Sequence, residues 1–256
     1  MHRRPLIAAG LLAPFVPLGA ARAQIATSTT GTPPLYAAGA VKHAVEELRE
    51  GLRAAGRPVP DALYDTVGAL RDRILAGDRP AVTLLSAEAI AALAQRGLVP
   101  GDGIAEVGRT GVGLAAPAGR PAPDISSVAA FTAALRAAPS IALADPARGA
   151  TAGRHVAATL ERLGLMEELR PKLRLVPFGV EGITQAGRGE VALAFSQATE
   201  IIDRPGVQLV GLLPDEIQLW TVYRAAVAQD GPEARALLAL FGTEAARAAF
   251  RRIGFR

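Results

Sequence analysis

Few residues in this 256-residue sequence have the type and spacing needed for catalysis. His43 and His155 lie on predicted helix faces, far apart in the chain. The paired carboxylates Glu46–Glu47, Glu167–Glu168 and Asp215–Glu216 are sequence neighbours, whereas acid–base catalysis needs carboxylates that converge across a site. The sequence contains no Gly-x-Ser-x-Gly elbow, no Gly-x-x-x-x-Gly-Lys-Ser/Thr phosphate loop and no histidine pair at metal-ligand spacing. We therefore predict no catalytic residue and no metal site.

A loose dinucleotide-binding pattern occurs at residues 111–116, which read GVGLAA. That fingerprint must lie between a strand and a helix, where the helix N-terminus receives the pyrophosphate. Here the glycines fall within a predicted strand and Pro117 follows them, so we predict no nucleotide cofactor, and no cofactor of any other kind. The chain also has no cysteine, which excludes disulfides, thiol catalysis and thiolate metal sites.

The first residues predict export. Arg3 and Arg4 precede an apolar stretch from Leu6 to Leu18, and residues 21–23 read Ala-Arg-Ala, as in a cleavable signal peptide. We predict that residues 1–23 are this signal peptide and that the protein is periplasmic. Without Arg3, Arg4 and Arg22, the chain has 25 basic and 24 acidic residues. This near-neutral balance indicates an ordinary solvated surface and no nucleic-acid partner.

The rest of the chain alternates short apolar runs with amphipathic segments. Runs such as residues 81–85 (AVTLL) and 141–144 (IALA) predict strands, and residues 40–55 place apolar side chains on one helical face. Ser86 fits a helix cap and Gly97 a helix end. This order predicts an α/β fold with parallel strands and helices on both sheet faces.

From Pro34 onward the chain resembles the molybdate-binding proteins of ABC transporters, a branch of the type II periplasmic binding proteins. The resemblance is strongest where a strand and an Asp145-Pro146 turn precede Thr151-Ala152-Gly153. Further matching segments are Leu163-Gly164-Leu165, residues 169–173 (LRPKL), Gly189-Glu190 and the closing residues 249–255. The family implies two α/β lobes, each a mostly parallel sheet flanked by helices, with a ligand cleft between them. We predict lobe 1 at residues 24–116, lobe 2 at 117–221, and a return to lobe 1 at 222–256.

The family's ligand-contacting positions fall on helix starts, where free backbone N–H groups favour anions. Carried over by alignment, they correspond to Ala40, Thr66 (or Val67, because the register is loose), Thr151, Ala152, Val180 and Gln197. Each residue also has a structural interpretation. Thr66 and Thr151 fit helix caps, Gln197 fits an exposed loop, and Ala40 and Val180 fit packing positions.

This chain departs from the family pattern, because Ala40 replaces a serine and Gln197 replaces a tyrosine. The resemblance therefore implies a binding role for this chain more strongly than it implies a particular ligand. We predict a monomeric, non-enzymatic substrate-binding protein that delivers a molybdate- or tungstate-like oxyanion to the membrane permease of an ABC transporter. Three alternatives remain: a carrier of a small organic anion, a sensor domain, and a periplasmic enzyme whose general base is Glu181 or Glu200.

Overall fold

The computed structural model describes residues 34–256. The predicted signal peptide and the start of predicted lobe 1 lie outside these residues. The strands are β1 (Leu35–Ala38), β2 (Ala62–Asp65), β3 (Val82–Ser86), β4 (Ile104–Pro117), β5 (Ile141–Ala144), β6 (Leu173–Val176), β7 (Leu193–Gln197), β8 (Val207–Leu212) and β9 (Trp220–Val227). The helices are α1 (Lys42–Ala54), α2 (Val67–Leu75), α3 (Ala87–Gln95), α4 (Val128–Ala137), α5 (Thr151–Arg162), α6 (Met166–Leu169), α7 (Gly179–Gly187), α8 (Pro232–Phe241) and α9 (Glu244–Arg252).

Local sequence signals set most helix boundaries. The Ser86 hydroxyl accepts a hydrogen bond from the Ala89 N–H at 3.3 Å, and Ser127 caps α4 through the Ala130 N–H at 3.1 Å. Such caps satisfy N–H groups that have no partner within the helix. Gly97 follows α3 in a left-handed conformation with φ of 69°, which a residue without a side chain adopts at little cost.

The strands form one mixed sheet in the order β2-β1-β3-β9-β4-β7-β5-β6, and β8 pairs with β4. The pairings of β1 with β2 and β3, and of β5 with β6 and β7, are parallel. The long strand β4 pairs antiparallel with β9 from Ile104 to Gly111, and with β7 and β8 from Val112 onward. One continuous strand therefore connects two halves of the sheet.

Each half of the sheet has its own apolar core, and we call the two halves with their helices lobe 1 and lobe 2. Lobe 1 is built on β1, β2, β3 and β9, and its core includes Tyr36, Leu84 and Phe250. Lobe 2 is built on β5 to β8, and its core includes Phe131 and Phe195. The chain passes between them along β4 and again between β8 and β9. The predicted lobe limits at residues 116 and 221 lie close to these crossings and stay predictions.

The predicted fold class is confirmed, because a mixed sheet is flanked by helices in two lobes. The structure adds two features. Residues 62–65 form strand β2, which we did not predict from the sequence. Strand β4 begins at Ile104, well before the predicted strand at residues 111–116. The antiparallel pairings of β4 and β9 lie where the chain crosses between the lobes.

Candidate functional site

Helix starts from both lobes meet at the gap between them. In lobe 1, β1 leads through a 3-10 turn at Gly39–Val41 into α1, and β2 leads directly into α2. In lobe 2, the segments after β5 and β6 lead into α5 and α7. Parallel strands end at a common sheet edge, where ligands of open α/β sheets bind. The N-termini of these helices therefore face the interlobe gap.

A cavity of about 250 Å³ occupies this gap, and its lining is mainly apolar. Lobe 1 contributes the ends of β1 and β2 with the helix starts that follow, and Tyr223 from β9. Lobe 2 contributes the starts of α5 and α7 and the segment from Ser196 to Glu200. Binding sites of this kind combine apolar walls with a few polar groups that orient the ligand.

All six positions proposed from the sequence line this one cavity, as does the alternative Val67. They are Ala40, Thr66, Thr151, Ala152, Val180 and Gln197. Ala40 and Ala152 are buried, and Val180 is partly exposed. Their side chains offer no hydrogen-bonding group, so any polar contact there would come from the N–H groups of the helix starts. Whether these residues bind a ligand stays a prediction.

The two threonines differ in what their hydroxyls do. Thr66 caps α2 by accepting from the Ala69 N–H at 3.1 Å, and its Oγ1 donates to the Arg148 carbonyl at 2.6 Å. Its cap interpretation is therefore correct. Thr151 does not cap α5, because the N-cap residue is Ala150. Its buried Oγ1 has no hydrogen-bond partner within residues 34–256, so it can still bond to a ligand.

Gln197 is 3% exposed, so the exposed-loop interpretation is wrong. It ends β7 and is held among strands of both lobes. Its Nε2 donates to Thr221 Oγ1 on β9 at 3.2 Å, whereas its Oε1 has no donor among the described residues. The side chain therefore joins the two lobes beside the cavity and keeps one unsatisfied acceptor.

The gap is closed at one edge by direct contact between the lobes. The Gly68 N–H at the start of α2 donates to the Gly149 carbonyl at 3.2 Å. A β-carbon built on Gly68 would lie 2.7 Å from the Gly149 α-carbon. The hydrogen bond from Thr66 to the Arg148 carbonyl supports this contact. The backbones of α2 and of the segment before α5 are therefore closer than a side chain at position 68 would permit. The structure is thus a closed form of the cleft.

Lys42 is the one Lys or Arg residue among those that line the cavity in the described chain. Its Nζ lies 5.2 Å from the centre of the Tyr64 ring, a cation–π arrangement. The Tyr64 hydroxyl donates to Glu46 Oε1 at 2.5 Å, and burial, with this carboxylate, raises the pKa of Tyr64 above its usual range. Tyr64 therefore stays neutral and holds its ring beneath the ammonium group.

Glu200 places a carboxyl group at the base of the cavity. Its Oε2 accepts a hydrogen bond from Ser196 Oγ at 2.5 Å. The side chain is partly exposed, and it lines the cavity. Burial raises the pKa of Glu200, and this effect outweighs the Ser196 hydrogen bond and the charge of Arg204. Of the two carboxylates considered from the sequence, Glu181 is exposed and does not line the cavity.

Several lining residues were not identified from the sequence, among them Lys42, Tyr64, Phe178 and Ser196. The sequence contains a signal that could have identified two of them, Tyr64 and Ser196. Tyr64 precedes a helix start at the end of β2, and Ser196 lies at the end of β7, the strand ends at which α/β proteins bind ligands.

Two kinds of feature are absent from residues 34–256. No helix in this range has the length and apolar character to span a membrane. No cluster of three or more His, Cys, Asp or Glu side chains in it could coordinate a metal ion.

Comparison with known proteins identifies relatives. The chain is similar to an aconitate isomerase from Pseudomonas sp., with 32% identity over 198 residues, which cover 76% of this chain and 74% of that protein. Its fold is similar to the periplasmic molybdate-binding protein of Azotobacter vinelandii, with a TM-score of 0.72, 17% identity, and coverage of 88% of this chain and 98% of that one. The fold of this chain is also similar to that of the sulfate-binding protein of Mycobacterium tuberculosis, with a TM-score of 0.66 and 19% identity. That match covers 88% of this chain and 86% of the other.

The family comparison covers the whole described chain, since residues 34–256 match the bacterial extracellular solute-binding proteins. The mixed α/β fold of the chain, with helices flanking the sheet, also matches the structures of type II periplasmic binding proteins. The chain therefore belongs to the bacterial extracellular solute-binding protein family.

Proposed function

We propose that this protein is a periplasmic carrier that binds a small organic anion between its lobes and delivers it to an ABC permease. The observation that carries the proposal is the closed interlobe cavity, which receives helix N-termini from both lobes. Those N-termini supply N–H donors and partial positive charge for an anion. Lys42 adds one full positive charge.

The size and lining of the cavity favour an organic anion over a tetrahedral oxyanion such as molybdate. The cavity measures about 250 Å³, more than the roughly 150 Å³ of an apolar cavity that binds benzene. It therefore has room for an organic acid larger than a single four-oxygen ion. The N–H donors and Lys42 could hold only part of the surface of a bound anion, and the mainly apolar walls elsewhere suit a carbon skeleton.

A thermal-shift screen of the chain from Gln24 onward tests this proposal. The panel contains citrate, succinate, malate, cis-aconitate, phosphate, sulfate, molybdate and tungstate. A ligand that binds only the folded state at a thousandfold excess over Kd adds about 4 kcal/mol of stability, or roughly 8–16 °C at this chain length. We expect such a shift with at least one organic acid and none with molybdate. A large shift with molybdate alone would overturn the organic-anion assignment.

A second candidate function is isomerisation of an unsaturated carboxylate. It is supported by the likeness to a protein named aconitate isomerase and by the Glu200 carboxyl group in the cavity. In a 1,3-proton shift, a carboxylate base takes a proton from one carbon, the double bond moves, and the resulting acid returns a proton to another carbon. No oxidant or reductant is consumed. A carboxyl group whose pKa is raised by burial suits both halves of this exchange.

Proton NMR in D₂O separates this candidate from the carrier. The enzyme would convert cis-aconitate with deuterium incorporation, and Glu200→Gln would abolish both conversion and exchange. The matched control is Glu181→Gln, because Glu181 is an exposed carboxylate outside the cavity. A carrier would bind the acid and return it unchanged and undeuterated.

A further inference from the structure

The Glu200 carboxyl group is enclosed by the starts of two helices, one from each lobe. A β-carbon built on Gly39, before α1, would lie 2.6 Å from Glu200 Oε1. A β-carbon built on Gly179, at the start of α7, would lie 3.4 Å from Glu200 Oε2 and 2.1 Å from Ser196 Oγ. A side chain at position 39 would therefore clash with the carboxyl group, and one at position 179 would clash with Ser196, the residue that donates a hydrogen bond to it. Closure of the lobes therefore leaves this group only partly exposed to bulk water.

No cation among residues 34–256 forms a direct ion pair with the carboxyl group, although the charge of Arg204 acts on it from a distance. None of the ion pairs among residues 34–256 includes Glu200. The guanidinium of Arg204 donates to the Glu200 backbone carbonyl, with Nε 3.3 Å from the oxygen. A carboxylate without a paired cation is costly in an enclosed site, and it becomes more costly when an anion binds beside it.

We infer that Glu200 is a specificity-determining residue, which enters the closed, occupied cleft as a neutral carboxylic acid and donates a hydrogen bond to a carboxylate group of the ligand. This inference rests on the proposed function, and it names the ligand class as an organic carboxylate. A carboxylate is a stronger base than sulfate, so it accepts a shared proton more readily. Glu200 thus favours weak organic acids over strongly acidic oxyanions.

The proton balance follows from the open and closed states. In the open cleft, Glu200 is hydrated and ionised at neutral pH. When the ligand carboxylate and the second lobe approach, Glu200 takes one proton from the solvent, and no covalent bond changes. Burial of Glu200 in the closed form raises its pKa and favours this uptake.

Other charged or titratable groups lie on the elements around Glu200. His43, near the start of α1, has a pKa lowered by burial, so the experiment must separate it from Glu200. The 3-10 turn that contains Glu200 packs against β4 near Gly113, where the neighbouring side chains are apolar. The charged or titratable residues on the surrounding elements are Lys42, His43, Glu106, Arg109, Glu181, Asp203, Arg204 and Tyr223.

Isothermal titration calorimetry with citrate, succinate and malate, each in two buffers of different ionisation enthalpy, measures the proton uptake. At pH 7.5 we expect wild type to take up at most one proton per bound ligand molecule, and its affinity to fall by up to tenfold per pH unit as pH rises. Glu200→Gln keeps a donor without titrating, so its uptake should vanish and its affinity should not change with pH. Glu181→Gln should retain the wild-type uptake.

A second variant tests the site if Glu200→Gln folds poorly. Ser196→Ala removes the hydrogen bond that stabilises the Glu200 carboxylate, so the pH at which affinity falls should move upward. Binding with no proton uptake, or uptake that persists in Glu200→Gln, would overturn the inference while leaving the organic-anion function intact. No binding of any organic acid by wild type or Glu200→Gln would overturn both.

Discussion

At the scale of single residues, the site holds two polar groups that have no partner in the described chain. Thr151 Oγ1 and Gln197 Oε1 are both buried without a hydrogen bond. A buried polar group left unpaired costs on the order of 1–3 kcal/mol, a cost that a bound ligand can offset. These two groups are therefore the places where ligand binding should be most sensitive to substitution.

Thr151→Val tests the first of these groups. The substitution keeps the side-chain shape and removes the hydroxyl, so stability without ligand should stay level or rise. Ligand affinity should fall by about 1–3 kcal/mol, or roughly five- to 150-fold, as measured by calorimetry. Thr159→Val is the matched control, because Thr159 also lies on α5 with an unpaired buried hydroxyl but outside the cavity. Equal losses in the two variants would show that Thr151 makes no ligand contact.

Glu200 should also set the pH dependence of stability when the protein is saturated with an organic acid and the lobes are closed. Burial raises its pKa in the folded protein above the ordinary value of 4.5. The contribution of Glu200 to the free energy of unfolding is therefore fully present below its ordinary pKa. It is lost as pH rises through the pKa of Glu200 in the folded protein. Urea unfolding from pH 4 to pH 8 with a saturating organic acid should show Glu200→Gln gaining stability relative to wild type as pH rises. If the free energies of unfolding of the two proteins changed in parallel with pH, Glu200 would have no part in this pH dependence.

At the scale of elements, the fold follows from local signals more fully than the site does. Strand–helix alternation and caps such as Ser86 are contained in short stretches, so the sequence predicts them. Strand β2 has only four residues, none of them fully buried, and Pro58 and Pro60 precede it, so its apolar signal is weak. Helix α7 contains three glycines, which disfavour a helix. It forms because Gly182 lets it pack closely on β5, where a β-carbon would lie 2.9 Å from that of Ala142.

The site itself could be predicted only in part. Helix starts such as Ala40 and Val180 followed from a family resemblance, because their positions in the chain can be aligned. The stacking of Lys42 on Tyr64, the enclosure of Glu200 and the contact of Gly68 with Gly149 join residues that are distant in sequence. No spacing rule encodes such contacts, since they depend on how the two lobes close.

Gly68→Ala should prevent closure while preserving each lobe. Its β-carbon would meet the backbone of Gly149 at 2.7 Å, which no side-chain rearrangement can relieve. We expect ligand affinity to fall more than tenfold, with little loss of stability in the free protein, as measured by calorimetry and thermal unfolding.

Gly51→Ala is the control for that change, because a β-carbon there meets nothing within 4 Å. Within α1 it should stabilise the protein by roughly 0.5–1 kcal/mol and leave affinity unchanged. If Gly68→Ala bound ligand as tightly as Gly51→Ala, the interlobe contact would have no part in binding.

At the scale of the whole molecule, the two lobes are connected by β4 and by the segment between β8 and β9. Two narrow connections permit a hinge motion that opens the cavity to solvent. Small-angle X-ray scattering should give a larger radius of gyration without ligand than with it. The Gly68→Ala protein should keep the larger value in both conditions. A wild-type radius that does not change on binding would mean that the ligand enters without hinge motion.

The most direct test of the central claim is calorimetric titration of organic acids into wild type and Gly68→Ala side by side. If the closed interlobe cavity is the binding site, wild type will bind an organic anion at one site per chain, and Gly68→Ala will bind it at least tenfold more weakly. Equal affinity in the two proteins, or binding of molybdate or sulfate in place of every organic acid, would contradict the account.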